Sequence, residues 1–307
     1  MPAIEVENLT KRYGDVPAMD DVSFTVEKGE IFGILGPNGA GKTTTVESIA
    51  GLRRPDSGTI RVLGLDPQRD RNEIRRRLGV QLQESRLPDR IQVGEALDLY
   101  SSFYESPLQW ESLLGQLGLT EKRDTRFGKL SGGQKQRVSI ALALVGNPEV
   151  VILDELTTGL DPQARRDTWA VVEQLREKGV TVILVTHFME EAERLADRVA
   201  LIDAGRVVAL DTPAGLIAST DNEQVIRFRP SRPMDDSVFA GLAEVTGVTH
   251  HGDQIVVRGV GNVLHAVTSA FVQSQVIPQE LRVEQATLDD AFLALTGRSL
   301  QPDTEEV

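Results

Sequence analysis

Short apolar runs alternate with amphipathic stretches along the chain, and the two patterns predict different elements. Residues 31–35, 150–153 and 180–185 are nearly continuous apolar runs, which is typical of parallel strands buried on both faces. Residues 4–9 and 22–27 instead alternate between apolar and polar side chains, as half-buried strands do. The sequence therefore predicts an α/β fold with a β-rich N-terminal part.

A helical pattern occupies the middle of the chain. Val93, Ala96, Leu97 and Tyr100 recur at a spacing that places them on one helix face, and the pattern continues to about residue 119. We expect this region to form a separate helical subdomain of about residues 85–145.

A glycine-rich loop follows the first apolar run and precedes a helical pattern. In the order strand, loop, helix, the motif G-x-x-x-x-G-K-S/T cradles phosphate, because its glycines leave backbone N–H groups free to converge on an anion. We expect Lys42 to reach the outer phosphates and the Thr43 hydroxyl to bind Mg²⁺. A glycine-rich surface turn is the alternative, and the motif does not choose between a kinase, a switch and a motor. The loop consists of Gly36, Pro37, Asn38, Gly39, Ala40, Gly41, Lys42, Thr43 and Thr44.

A second helix start with accessible backbone donors lies at residues 131–134. Ser131 is a natural N-cap residue, and Gly132 and Gly133 again leave N–H groups open to an anion, with Gln134 next in the sequence. The alternative is that these glycines only make the start of the helix flexible and bind no anion.

Polar side chains end two of the apolar runs. Asp154 and Glu155 follow residues 150–153, and His187 follows the run at 180–185. Ligands bind at the carboxyl ends of strands in open α/β sheets, so we expect Asp154 to hold Mg²⁺ through its water and Glu155 to polarise an attacking water. Acids that end a strand are often simply solvated, and a single histidine is more often a loop residue than a catalytic one.

Composition narrows the class of protein. The chain has 307 residues and no cysteine, so disulfides and thiolate metal sites are excluded. Its start lacks a basic leader, and its apolar runs are shorter than the about 18 residues that a spanning helix needs. We expect no signal peptide and a membrane role only through a partner. We also predict no metal held by protein ligands beyond nucleotide-bound Mg²⁺, because His250, His251 and His265 are scattered.

The formal net charge is −13, and residues 221–307 carry 13 acidic and 6 basic side chains. Bulk electrostatics of this sign disfavours nucleic acid and anionic lipid as ligands. The same region shows strand patterns at 224–228, 254–258 and 281–284 and helical patterns at 236–243 and 262–273. It predicts a small α+β domain that ends in an amphipathic helix at 286–298, with residues 302–307 disordered.

The motifs together resemble the ATP-binding cassette (ABC) family. The glycine-rich loop at 36–43 is similar to its Walker A motif, 130–134 to its signature and 154–155 to the end of its Walker B motif. Gln83, the Gly-Leu-Asp sequence at 159–161 and His187 complete the order. The resemblance covers nearly all of residues 1–220 and implies a P-loop nucleotide-binding domain there. We expect residues 221–307 to form an accessory domain. Its last helix resembles part of the C-terminal extension of the daunorubicin-resistance-type drug exporter ATPases.

The resemblance also implies roles for single residues. Tyr13, expected in the loop between the first two strands, stacks on adenine, and Gln83 senses Mg²⁺ and contacts the partner. Asp161 lies at a dimer contact, Glu155 is the general base and His187 contacts the terminal phosphate. One departure is visible, because Leu156 follows Glu155 where the family usually has proline. We expect the turn to be looser without proline's fixed φ.

A dimer follows from the two anion-binding helix starts. If they belong to different lobes, they cannot both reach one nucleotide in a compact monomer, whereas a head-to-tail dimer places Ser131 of one chain over ATP held by Lys42 of the other. The expected protein is the ATPase subunit of a multidrug or antibiotic exporter, on the cytoplasmic face of the membrane under a separate transmembrane permease. The alternative is a soluble ATPase switch that acts on ribosomes or nucleic acid.

Overall fold

The computed structural model describes residues 1–82, 87–219, 224–284 and 286–297. By the density of its contacts the chain divides into two compact units, which meet in sequence between Pro213 and Ala214. The domains 1–220 and 221–307 remain a prediction. Gln83, for which the family resemblance implies two roles, lies outside the described residues.

The first unit contains two sheets. Its strands are β1 (Ile4–Tyr13), β2 (Val16–Val26), β3 (Ile31–Leu35), β4 (Ser57–Val62), β5 (Leu78–Gln81), β6 (Val150–Asp154), β7 (Thr181–Thr186), β8 (Arg198–Asp203) and β9 (Arg206–Asp211). Strands β2, β1 and β4 form an antiparallel sheet in that order. The other sheet has the order β5-β6-β7-β3-β8-β9, parallel except for the β8–β9 pair.

Helices pack against both faces of the larger sheet. They are α1 (Lys42–Ile49), α2 (Arg71–Arg77), α3 (Val93–Ser101), α4 (Trp110–Gln116), α5 (Gly132–Leu144), α6 (Pro162–Glu177), α7 (Met189–Leu195) and, at the boundary of the units, α8 (Pro213–Ala218). The central strands alternate between two apolar clusters. Val151 and Val182 pack with residues of α3 to α6, whereas Ile152 and Ile183 pack with residues of β1, β2 and β4. Burial on both faces explains their continuous apolar sequences.

The helical pattern at 93–119 forms two helices, α3 and α4, with Pro107 between them; proline lacks an N–H group and disfavours helix in the residue before it. Two strands differ from the sequence prediction. Strands β1 and β2 are longer than predicted and form a hairpin, so Tyr13 ends β1, opposite Val16, instead of lying in a loop. The cross-strand pairing holds the polar residues of this segment in the sheet, although their sequence favours a turn.

The second unit is a four-stranded antiparallel sheet with helices. Its elements are β10 (Gln224–Pro230), α9 (Ser237–Ala240), β11 (Val245–His251), β12 (Gln254–Gly259), α10 (Val263–Gln273), β13 (Pro278–Glu284) and α11 (Leu288–Thr296). The strand order β11-β12-β10-β13 and the βαββαβ sequence define a split βαβ arrangement. Phe228, Phe239 and Phe271 pack edge to face in its core. This unit has the predicted α+β class, with β11 as a strand that the sequence pattern did not reveal.

Candidate active site

The candidate site lies where three adjacent parallel strands end. In the register of the sheet Leu35 is opposite Thr186, and Asp154 is opposite Val185, so the segments that follow β3, β6 and β7 meet at one edge. His187 Nδ1 lies 3.3 Å from Glu155 Oε1. These segments border a cleft of about 730 Å³. The cleft is lined by Tyr13, Val16, Pro17, Ala18, Asn38, Gly39, Gly41, Lys42, Thr43, Thr44, Glu155, Thr158 and His187.

The loop between β3 and α1 requires glycine at two positions. Gly36 and Gly41 have φ angles of 155° and 105°, and a Cβ atom there would lie 2.0 Å from the Ile202 carbonyl oxygen or 2.1 Å from that of Ala18. Gly41 is also the N-cap of α1 and supplies no side-chain hydrogen bond to the helix. The first N–H groups of α1 are therefore not occupied by a capping side chain, which is the property that makes a helix start an anion site.

The Lys42 side chain is held by backbone carbonyl groups of the glycine-rich loop. Its side-chain nitrogen donates hydrogen bonds to the carbonyl oxygens of Gly36 at 2.7 Å and Pro37 at 3.0 Å, and the residue is only 5% exposed. Burial lowers the pKa of this ammonium group, while the nearby carboxylates of Glu155 and Asp154 oppose the shift. The site thus concentrates a buried positive charge close to two acids.

Asp154 is the residue whose burial most needs an explanation. It is 1% exposed, and neither of its carboxylate oxygens has a hydrogen-bond partner among the described residues. Burial, followed by repulsion from Glu155, raises its pKa to about 6, although Lys42 lowers it. A buried carboxylate without a partner fits a cation, and oxygen ligands suit Mg²⁺. The described part of the chain has no group of three or more His, Cys, Asp or Glu side chains that could hold a metal ion.

Glu155 has an unusual backbone. Its φ angle is 51°, in the left-handed region, and its N–H donates to the Val185 carbonyl oxygen at 2.9 Å. The following residue, Leu156, is fully buried and packs in the apolar cluster beneath the helices. Packing of Leu156 therefore fixes the turn that a proline ring would otherwise restrict.

Tyr13 lies at the mouth of the cleft with 45% of its surface exposed. The guanidinium of Arg53 lies 5.4 Å from its ring centroid and the Lys11 nitrogen 5.9 Å, so both cations approach the ring at cation–π distance. An exposed aromatic ring beside the phosphate loop is suitable for stacking on a base.

The signature residues do not line this cleft. Ser131 caps α5, where its hydroxyl accepts a hydrogen bond from Gln134 N at 3.3 Å and Gln134 Oε1 accepts one from Ser131 N at 3.0 Å. Gly132 and Gly133 lie instead beside Leu160 and Ala164, where a Cβ on Gly133 would come within 2.8 Å of that of Ala164. The candidate residues of one chain thus lie in two separate places. The first is the cleft, and the second is the start of α5 with its neighbours Leu160 and Ala164.

Asp161 belongs to the second place. It is the N-cap of α6, and its carboxylate accepts hydrogen bonds from Gln163 N and Ala164 N, both at 3.0 Å. These bonds lower the pKa of the Asp161 carboxyl. The segment 155–161 therefore runs from the cleft to the neighbourhood of the signature.

Sequence reasoning missed several residues of the site. Val16, Pro17 and Ala18 border the cleft because the β1–β2 hairpin reaches it. Glu191, in α7, is fully buried behind the strand ends. A signal for it does exist, since Phe188, Glu191, Ala192 and Leu195 have the spacing of a buried helix face and one of them is an acid.

Comparisons with known proteins agree with this geometry. A family model described as ABC transporter matches residues 19–158. Nod factor export ATP-binding protein I of Burkholderia lata is 39% identical over 310 residues, which cover 97% of this chain and 98% of that protein. Daunorubicin resistance ATP-binding protein DrrA3 of Streptomyces coeruleorubidus is 35% identical over 305 residues, 96% of each chain.

A solved structure agrees as well. An ATP-binding cassette, determined as a dimer in a post-hydrolysis state with ADP and Pi, has a TM-score of 0.61 and 27% identity, over 68% of this chain and 98% of that one. Within the described residues no helix is long and apolar enough to cross a membrane. The P-loop cassette fold predicted from the motifs is confirmed, and with relatives of this likeness over nearly its whole length the chain belongs to the ABC transporter family, as one of its ATP-hydrolysing subunits.

Proposed function

We propose that this chain drives export through a separate transmembrane permease, as a head-to-tail dimer that holds ATP between its two copies. The observation that carries the proposal is the division of the site. Lys42, Glu155 and His187 line a cleft, whereas Ser131, Gly132 and Gly133 lie at the start of α5 beside Ala164. Both places offer backbone donors at a helix start, and each is complete only when a second chain supplies the other.

Each residue of the cleft has a distinct task in this proposal. The backbone of residues 36–41 and the Lys42 ammonium bind the phosphates, and Tyr13 stacks on the adenine ring. Asp154, Thr43 and Gln83 would hold Mg²⁺. When bound, this ion would offset negative charge on the terminal phosphates. Glu155 accepts the proton of the attacking water, and His187 contacts the terminal phosphate and keeps Glu155 within 3.3 Å.

Closure of the dimer would depend on the residues at the starts of α5 and α6. Ser131 and the N–H groups of Gly132 and Gly133, with Gln134 holding the cap, would bind the terminal phosphate of the nucleotide on the opposite chain, and Asp161 would lie at the contact between chains. A charge-assisted hydrogen bond contributes about 1.5 to 3 kcal/mol, so several of them can hold the dimer closed. Loss of the terminal phosphate removes these contacts and favours opening.

The export assignment is supported by the relatives. The two curated proteins compared above are named for Nod factor export and for daunorubicin resistance, and the net charge of −13 disfavours nucleic acid as the ligand. We place the protein on the cytoplasmic face of the cell membrane, held there by the permease. A multidrug or antibiotic substrate is the class that we propose.

The test separates nucleotide binding from closure. Glu155→Gln should bind ATP, hydrolyse it at least about a hundredfold more slowly and form a dimer that persists with ATP, as measured by light scattering after gel filtration. Adding Ser131→Arg to Glu155→Gln should abolish this dimer while leaving the ATP affinity of the monomer unchanged, because the arginine blocks only the surface that meets the second chain.

Ser112→Arg in the Glu155→Gln background is the matched control, since Ser112 is an exposed serine of α4 and belongs to neither helix start. It should dimerise like Glu155→Gln. Hydrolysis by Glu155→Gln at the parental rate would remove Glu155 from its role, and a Glu155→Gln/Ser131→Arg protein that still dimerises with ATP would refute the shared site.

A further inference from the structure

Glu191 is a carboxylate buried inside the first unit. It is 0% exposed, and its Oε1 accepts a hydrogen bond from Trp169 Nε1 at 3.0 Å. Its other oxygen has no hydrogen-bond partner among the residues that the structure describes. Burial of a carboxyl group in this way carries a large desolvation cost, so an apolar residue would pack here at lower cost.

The surroundings of Glu191 come from the segments that carry the candidate catalytic groups. Thr157, two residues after Glu155, and Thr186, directly before His187, are both fully buried. Burial raises the pKa of the Glu191 carboxyl, and the Trp169 side chain is among the groups that oppose the shift. The Thr186 hydroxyl accepts a hydrogen bond at 3.0 Å from the backbone N–H of Phe188, the N-cap of the helix that contains Glu191.

Helix α6 is joined to the same group. Trp169 lies in α6, which begins after Asp161, so the Trp169–Glu191 hydrogen bond links that helix to α7. A second link lies at the surface, where the Arg165 guanidinium is 4.9 Å from the Phe188 ring centroid and pairs with Glu190 at 3.7 Å. Two sets of contacts thus join α6, which follows the Glu155 segment, to α7, which follows His187.

We propose that Glu191 is a positioning residue for ATP hydrolysis. Its hydrogen bond to Trp169 fixes α6 and α7, the helices that follow Glu155 and His187 in the chain, and thereby sets the separation and orientation of these two side chains. The inference rests on the proposed roles of Glu155 and His187. It differs from a purely structural role, in which Glu191 would only join α6 to α7. In that case its loss would lower stability and leave the turnover number of the folded protein unchanged.

The expected result is a loss of kcat with little change in KM. A displacement near 1 Å of a catalytic group lowers rates by about a hundredfold, so Glu191→Leu should lower kcat about 10- to 100-fold with KM for ATP within about threefold. Glu191→Gln keeps an oxygen that can accept from Trp169 and should retain kcat within about threefold of the parent. Glu193→Leu, on the exposed side of α7, is the matched control and should match the parent.

Trp169→Phe tests the same link from the other side. It removes the indole N–H but keeps an aromatic ring, and it should lower kcat at least about threefold with KM unchanged. If the pair acts as one unit, adding Trp169→Phe to Glu191→Leu should cause no further loss. If Glu191→Leu does not fold, Trp169→Phe and Glu191→Gln decide the question.

The inference is overturned if folded Glu191→Leu and Trp169→Phe both turn over within about twofold of the parent. It is also overturned if their combined loss equals the product of the single losses, because the two residues then act independently. Either result, together with an inactive Glu155→Gln, leaves the proposed function intact. Parental turnover by Glu155→Gln would instead remove the proposed function itself.

Discussion

The two units of the chain differ in what they bury. In the first unit the buried side chains include charged and polar groups, among them Lys42, Asp154 and Glu191. In the second unit, within the described residues, the buried side chains are apolar, and Phe228, Phe239 and Phe271 form the centre of the core. Its charged residues pair at the surface instead, as Arg227 does with Glu284 and Arg229 with Glu280.

This difference identifies the part of the molecule that does chemistry. A buried charge without a full set of hydrogen bonds is destabilising, so it persists in a fold when it interacts with something else. Asp154 has two oxygens without partners and Glu191 has one, and both lie behind or beside the cleft. The described buried side chains of the second unit are apolar, as expected for a domain whose core serves only its stability.

The largest expected effect concerns the core of the second unit. Phe228→Ala should destabilise this unit by about 3 to 5 kcal/mol, because it removes a fully buried ring and leaves a cavity. Hydrogen–deuterium exchange of the β10 and β12 amides measures the loss. Turnover of ATP should stay within about twofold of the parent, since the substituted residue lies outside the cleft.

Phe103→Ala is the matched control, because Phe103 is an exposed phenylalanine and such a substitution changes stability by about 0.5 kcal/mol or less. A large fall in turnover for Phe228→Ala would contradict the separation of tasks between the two units.

The central strands and the phosphate loop were predictable from the sequence for a physical reason. Strands buried on both faces, such as β6 and β7, leave continuous apolar runs, and a loop such as 36–41 needs glycine where φ is positive or space is short. These requirements are local, so they are visible in a short stretch of sequence. The cap formed by Ser131 and Gln134 is local in the same sense.

Features that depend on distant residues were not predictable. The burial of Glu191 depends on Trp169, which lies 22 residues earlier in the chain. Strand β11 contains glycine, threonine and two histidines, and it is a strand because β12 pairs along its length. Tyr13 lies in a strand for the same reason. In each case the partner supplies what the local pattern lacks.

An intermediate effect is expected at Asp154. Its pKa is raised from 3.8 to about 6, so the folded protein binds a proton more tightly than the unfolded chain does. The corresponding stability is fully present below about pH 4 and is lost as the pH rises to about 6. With about 1.4 kcal/mol for each pKa unit, the charged carboxylate costs roughly 3 kcal/mol at pH 7 in the absence of a cation.

Asp154→Asn should therefore raise the melting temperature at pH 7.5 in the presence of a chelator, and this gain should shrink at pH 5, which is inside the window. The same variant should lose Mg²⁺-dependent hydrolysis. A variant that melts below the parent at pH 7.5 would show that Asp154 is stabilised by the fold itself, and the contrast between the two units would then lose its strongest example.

The smallest effect is expected for a surface pair of the second unit. Arg227 Nε lies 2.9 Å from Glu284 Oε1 across β10 and β13, and both side chains are partly exposed. Such pairs contribute about 0.2 to 1 kcal/mol and are screened by salt, so Arg227→Ala should destabilise the unit by no more than this. The loss should shrink further at about 1 M salt, as measured by urea denaturation. A loss above about 2 kcal/mol would mean that the stability of this unit also depends on a specific polar contact. The surface charges of the second unit would then resemble the buried charges of the first unit as candidates for a binding role.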